Sequence, residues 1–194
     1  MLVLPPLVYN PEAEITDFAV DMETFDTAPT AKMISLALVG YNRFSSEVAE
    51  EIYARFDVKL MPGTVSRSTI QWWKKQDAIV PGLLAEDTNG TVDPLEFFDD
   101  FTRGYPKGAK VWGNGATFDV TILEETLKSL NCPVPWAFWD VRDLRTLLDV
   151  ADVSARQCHF DGDKHNALHD ARHQAKMAMY AKRKIREALD ADRG

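Results

Sequence analysis

Residues 15–24 read ITDFAVDMET, and the way this stretch is taken decides the fold. It is a short apolar run closing on Asp21-Met22-Glu23, which suits a β-strand. Alternate side chains of a strand share a face, so Asp21 and Glu23 sit side by side, about 7 Å apart along the chain. Two carboxylates held together raise each other's pKa unless something neutralises them, and a divalent cation with oxygen ligands is the simplest means. Alone, an Asp-x-Glu reads first as a strand end entering a polar turn. Only further carboxylates in matching settings overturn that reading.

Upstream, residues 1–14 are expected to be an irregular lead-in, because Pro5, Pro6 and Pro11 oppose regular structure. Their apolar start lacks a basic segment, and its paired prolines break any signal-like core. No run in the chain is long enough to span a membrane. Downstream, Met33–Tyr41 (MISLALVGY) is a continuous apolar run, as for a strand buried on both faces. Residues 52–58 alternate with period two. Three strands joined by short turns predict an antiparallel meander.

The texture then changes. Residues 66–78 read as a helix and 79–92 as a loop. Asp93-Pro94 starts a helix to about Thr102, with Asp as cap and Pro in the first position. Residues 110–112 form a short strand ending in Gly113-Asn114-Gly115, followed by a helix over about 116–130. A helix over 140–150 carries Val141, Leu144, Leu147 and Leu148 on one face. The last helix, about 166–190, carries a stripe of Leu168, Ala171, Ala175, Ala178, Ile185 and Leu189. The order predicts an α/β fold, a mixed sheet covered by helices, with residues 15–194 as one domain.

Composition agrees: 45% of the 194 residues are hydrophobic and 27% charged, sufficient for a core. The net charge of −8 excludes a surface that is basic overall, so local basic groups or metal must hold any anionic substrate. Cys132 and Cys158 show no metal-ligand spacing and read as reduced thiols of an intracellular protein.

Two further carboxylates have matching settings. Asp119 follows a double-glycine turn and lies near a helix N-terminus, where the helix dipole favours negative charge. Asp170 falls in the first turn of the last helix, and His165 just precedes it. Each has an ordinary surface explanation by itself. Together, Asp21, Glu23, Asp119 and Asp170 suit two divalent ions clamping the attacking and leaving oxygens of a phosphodiester, with a histidine to take the proton of the attacking water.

The set Asp-x-Glu, then Asp, then His-x4-Asp resembles the DEDDh branch of the DnaQ-like 3′→5′ exonucleases. The likeness is greater to the subgroup of a phage T4 exonuclease A and a mycobacterial exoribonuclease. It rests on VDMET at 20–24, QWWKKQ at 71–76, VWGNGATFD at 111–119, PWAFWDVRDLRTLLD at 135–149 and HNALHDARHQAK at 165–176. The resemblance implies a ribonuclease H-like five-stranded sheet, three strands antiparallel and the others parallel, flanked by helices. It implies two Mg²⁺ or Mn²⁺ ions on Asp21, Glu23, Asp119 and Asp170, with His165 as general base. The implied reaction is hydrolysis from the 3′ end of single-stranded DNA or RNA, or of 3′ overhangs, releasing nucleoside 5′-monophosphates. The setting is the cytoplasm of a bacterium or a phage-infected host, and relatives that act as dimers make a homodimer one expectation.

Thr24 and Phe25 match positions that hold the terminal nucleotide, although Phe25 is equally well read as a turn residue packed on the core. Trp72 is the candidate for stacking on a base. Trp73, adjacent on the helix, faces another way, so at most one of the two meets substrate while the other packs in the core, and which is which stays open. Asn114 either orients the site or caps the following helix. Arg142 and Arg145 read as a solvated helix face rather than phosphate contacts. Lys182, Arg183, Lys184 and Arg186 read as the solvated end of the last helix.

Three rivals exist. His165, His169 and His173, spaced by four, suit a transition metal, but no cysteine or acidic pair completes such a site. His169-Asp170 is shared with all-helical HD phosphohydrolases, which the strands oppose. A catalytically silent nucleic-acid-binding or partner-docking module would be expected to lack a carboxylate or the histidine, and here none is missing.

Overall fold

The computed structural model describes residues 1–76 and 90–192. Its strands are β1 (Val8–Tyr9), β2 (Asp17–Thr24), β3 (Met33–Tyr41), β4 (Glu47–Arg55), β5 (Lys110–Gly113) and β6 (Val141–Asp143). The helices are α1 (Arg67–Trp73), α2 (Pro94–Gly104), α3 (Asp119–Ser129), α4 (Leu144–Val150) and α5 (Ala167–Ala191). The strands form one sheet in the order β1-β4-β3-β2-β5-β6. The β2-β3-β4 meander is antiparallel, whereas β5 and β6 run parallel to β2. The expected mixed sheet is thus present, with six strands instead of five.

Alternation along β2 divides the core. Phe18, Val20 and Met22 face a cluster shared with Phe98, Phe101, Val120, Ile122 and Leu123 of α2 and α3. Ala19 faces the opposite cluster, shared with Leu144 and Leu148 of α4 and Ala171, Ala175 and Ala178 of α5. Every residue of β3 is buried, which accounts for its unbroken apolar run. The small residues between α5 and the sheet, Ala37 among them, let helix and strand approach closely enough for short side chains to meet across the gap.

Several expectations need correction. The lead-in contains β1, which pairs in parallel with β4; proline content opposes long structure and leaves room for a two-residue strand. β4 begins at Glu47, ahead of the expected 52, because its outer edge is polar and hides the alternation. The helix expected over 140–150 is a 3₁₀ turn (Phe138–Asp140), then β6, then α4. Asp143 causes this break. Its carboxylate accepts the N–H of Thr146 at 2.8 Å as the cap of α4, and the N–H of Ala116 at 2.8 Å. Val141 accordingly packs in the first cluster and not with Leu144.

Leu189 is exposed and leaves the stripe assigned to α5. Lys182 is not part of a solvated end. Its ammonium lies 3.2 Å from Asp17, a fully buried carboxylate that also accepts from Arg43 and Trp112. The end of the helix expected over 66–78, and most of the loop expected over 79–92, lie outside the described residues. Among the described residues, no helix is long and apolar enough to cross a membrane.

Candidate active site and metal centre

β2 delivers Asp21 and Glu23 to the face packed by α5, and the first turn of α5 delivers Asp170. One carboxylate oxygen from each lies within 4.8 Å of the others. Asn166 starts α5 by accepting the N–H groups of Leu168 and His169, which fixes where the first turn begins. The N–H groups of His165 and Asn166 point at the Asp170 carboxylate.

Asp119 approaches from the sheet's other neighbour as the first residue of α3. Its path depends on Gly113. A Cβ on residue 113 would stand 2.9 Å from Ala116 Cα and 3.2 Å from Asp119 Oδ2, so any side chain there would push the carboxylate away. Asn114 does not cap α3 with its side chain; its backbone N–H serves the Asp119 carboxylate. Arg145, expected on a solvated face, is exposed yet close enough to favour the charged form of Asp119. Arg142 instead donates to the carbonyls of Trp139 and Val141.

All four acids are held above their ordinary range. Burial, followed by the charges of Asp119, Glu23 and Asp170, pushes Asp21 well up. Burial, then Asp170 and Asp119, pushes Glu23 up to about 9. Burial raises Asp119 to about 7 against the pull of the N–H groups of Asp119 and Asn114. Burial also raises Asp170. The cause common to all four is burial, to which the neighbouring carboxylates add at Asp21 and Glu23. Oδ2 of Asp170 is buried with no hydrogen-bond partner. An all-carboxylate donor set with a spare buried oxygen fits a hard divalent cation.

His165 adopts φ = +63°, a left-handed conformation in which histidine is among the tolerated residues. Its ring meets Trp72 edge to face at 4.9 Å between centroids. Trp72 also lines a cleft of about 530 Å³ with Glu23, Thr24, Trp73 and Phe118. Trp72 is 41% exposed and Trp73 2%. Trp73 donates its indole N–H to the Thr24 carbonyl at 2.8 Å, so it is an internal brace of the cleft. Thr24 lines the cleft but spends its hydroxyl on the Asp26 carbonyl at 2.6 Å.

Phe25 does not line the cleft; it is buried with Ile34 and Trp73. A bulge between Glu23 and Thr24 breaks the alternation that would have placed it beside Glu23. Sequence reasoning missed Phe118, whose partial exposure on the cleft wall follows from the tight turn before Asp119. It also missed Gln174, a glutamine one helical turn after Asp170 amid an apolar alanine stripe, which was the available signal.

The histidine stripe does not assemble. His169 accepts the backbone N–H of Asp163 through Nδ1 at 2.9 Å, and the ring of His173 packs on Phe160 at 5.0 Å. Among the described residues, Asp21, Glu23 and Asp170 form the group of three ligand-type side chains that converges.

Comparison with known proteins gives the family and the fold. Over 202 residues the chain is 27% identical to an exodeoxyribonuclease of Enterobacteria phage T4, covering 86% of this chain and 89% of that protein. Its fold matches the nuclease domain of 3′hExo, a DEDDh family member bound to rAMP. That match has a TM-score of 0.52 and 15% identity over 89% of this chain and 93% of that one. It also matches E. coli exonuclease I in complex with an oligonucleotide, with a TM-score of 0.56 and 15% identity over 92% of this chain and 42% of that one. S. pombe Pop2p in a Mg²⁺- and Mn²⁺-bound form gives 0.54 at 12% identity over 86% and 82%. The class is that of the 3′–5′ exonucleases. Residues 16–181 match the Rv2179c-like 3′-5′ exoribonuclease domain, and the chain belongs to that family.

Proposed function

We propose that Asp21, Glu23, Asp119 and Asp170 hold two divalent cations, Mg²⁺ or Mn²⁺, and that the enzyme removes nucleoside 5′-monophosphates from the 3′ ends of single-stranded DNA or RNA. The observation that carries this reading is the convergence of Asp21, Glu23 and Asp170 within 4.8 Å. A bound pair of cations supplies positive charge to the attacking and leaving oxygens of a phosphodiester.

The remaining duties fall to side chains. His165, held in its loop against Trp72, takes the proton of the attacking water on an imidazole nitrogen. The cleft beside Glu23 receives the terminal nucleotide. Trp72 and Phe118, each with an accessible ring edge or face on that cleft, stack on the base. Trp73 and Phe25 brace the cleft from behind. Arg145 offers a local cation where the chain as a whole is acidic.

The test is a panel of labelled strands with Mg²⁺: a linear strand with a 3′-hydroxyl, the same strand with a 3′-phosphate, and a circular strand. Mononucleotide release from the first, slowed release from the second and none from the third is expected. Cleavage of circles as fast as linear strands excludes the exonuclease mode. Parallel DNA and RNA panels assign the sugar preference.

A further inference from the structure

The geometry points to Gln174 as a positioning residue that fixes the Asp21 carboxylate for cation binding, an inference that rests on the cation reading above. Gln174 lies one turn beyond Asp170 on α5, on the same helix face. It is 4% exposed, between Ala171 and Ala175, which are fully buried. A buried amide is costly unless it is hydrogen-bonded, and a methionine of equal length would fill the same space without polar atoms. Packing alone therefore does not explain the glutamine.

Its Nε2 donates to Asp21 Oδ1 at 2.6 Å. That bond occupies one oxygen of the carboxylate, stops its rotation and leaves the other oxygen for a cation. Oε1 of Gln174 is buried with no hydrogen-bond partner, so the amide is oriented by Asp21 rather than by a network of its own. Partners that orient a metal ligand in this way are commonly worth about 10–100-fold in metal affinity.

The experiment is Mn²⁺ titration followed by electron paramagnetic resonance of the free ion, on wild type and Gln174→Met, with the melting temperature of both metal-free proteins. Gln174→Met is expected to bind Mn²⁺ about 10–100-fold more weakly at an unchanged or higher melting temperature. A second readout uses the wild type alone: the side-chain NH₂ resonances of Gln174 should move when Mg²⁺ is added. Undiminished Mn²⁺ affinity in the variant, or NH₂ resonances indifferent to Mg²⁺, would overturn the role of Gln174. A wild type that binds no Mn²⁺ overturns the cation reading itself, and the two failures are told apart by that control.

Discussion

The imidazole of His165 rests against the edge of Trp72, ring centroids 4.9 Å apart. The candidate base and the candidate stacking platform are therefore one mechanical unit, although 93 positions of chain separate them. Trp73, next in sequence to Trp72, is turned into the core and bonded to the Thr24 carbonyl.

The two tryptophans should accordingly fail differently. Trp73→Ala is expected to cost about 3–5 kcal/mol of stability, as for a large buried side chain. Trp72→Ala should leave the melting temperature nearly unchanged and raise KM by the equivalent of about 1–3 kcal/mol, the usual worth of a stacked base. Thermal melts and steady-state kinetics on both variants check this. An inactive Trp73→Ala of normal stability would contradict it.

The histidines on either side of the α5 cap also have unlike duties. His169 braces the 161–165 loop: it accepts the Asp163 N–H, and Gly162 at φ = +127° packs so close that a Cβ would come within 2.8 Å of its ring. His165→Ala should lower kcat by about 10²–10⁴-fold, the range for a lost general base. His169→Ala should cost much less, mainly by loosening the loop. If His169→Ala is the dead variant and His165→Ala stays active, the base has been misassigned.

Metal-free stability should depend on pH in a defined direction. Burial holds Asp21, Glu23, Asp119 and Asp170 above their unfolded values, with repulsion from neighbouring carboxylates adding at Asp21 and Glu23; those values are about 3.9 for Asp and 4.3 for Glu. The folded chain then binds more protons than the unfolded one, so stability falls as pH rises through this window, up to about 9 for Glu23. The melting temperature in EDTA should drop between roughly pH 5 and pH 9. Mg²⁺ should oppose the drop by binding the folded state, and Glu23→Gln should flatten it above neutrality. A rising curve in EDTA contradicts the raised folded-state values of these four buried acids.

Gly113→Ala tests the approach of Asp119. The added methyl meets the backbone of Ala116 and the carboxylate of Asp119 together, and the Ala116 backbone cannot swing aside. Turnover should fall by about 10²-fold, as for a displacement of roughly 1 Å at a reacting centre. Overpacking should cost about 1–3 kcal/mol of stability. Normal turnover would mean that the turn moves without Asp119.

What the sequence revealed was local. The placement of Asp21 and Glu23 followed from strand alternation, that of Asp119 from a glycine turn before a helix, and that of Asp170 from the first turn of the last helix. Each can be read within a few residues. The rest depends on partners far along the chain. Lys182 looks like part of a charged helix end until Asp17, 165 residues earlier, proves to be its partner. Gln174 has no visible purpose without Asp21, 153 residues away. β1 and β6 are strands because of the neighbours they pair with, and Val141 stands three positions before Leu144, a spacing that fits a helix equally well. Phe25 could be read two ways because the bulge at Glu23 and Thr24 leaves no mark in the sequence.

The most direct measurement is mononucleotide release from a 5′-labelled single strand by wild type and Asp21→Asn, in Mg²⁺ and in EDTA, with folding verified by circular dichroism. The account predicts stepwise shortening by the wild type in Mg²⁺ alone, and a folded but nearly inactive Asp21→Asn under every condition. Full activity in EDTA, or an Asp21→Asn as fast as wild type, would contradict it.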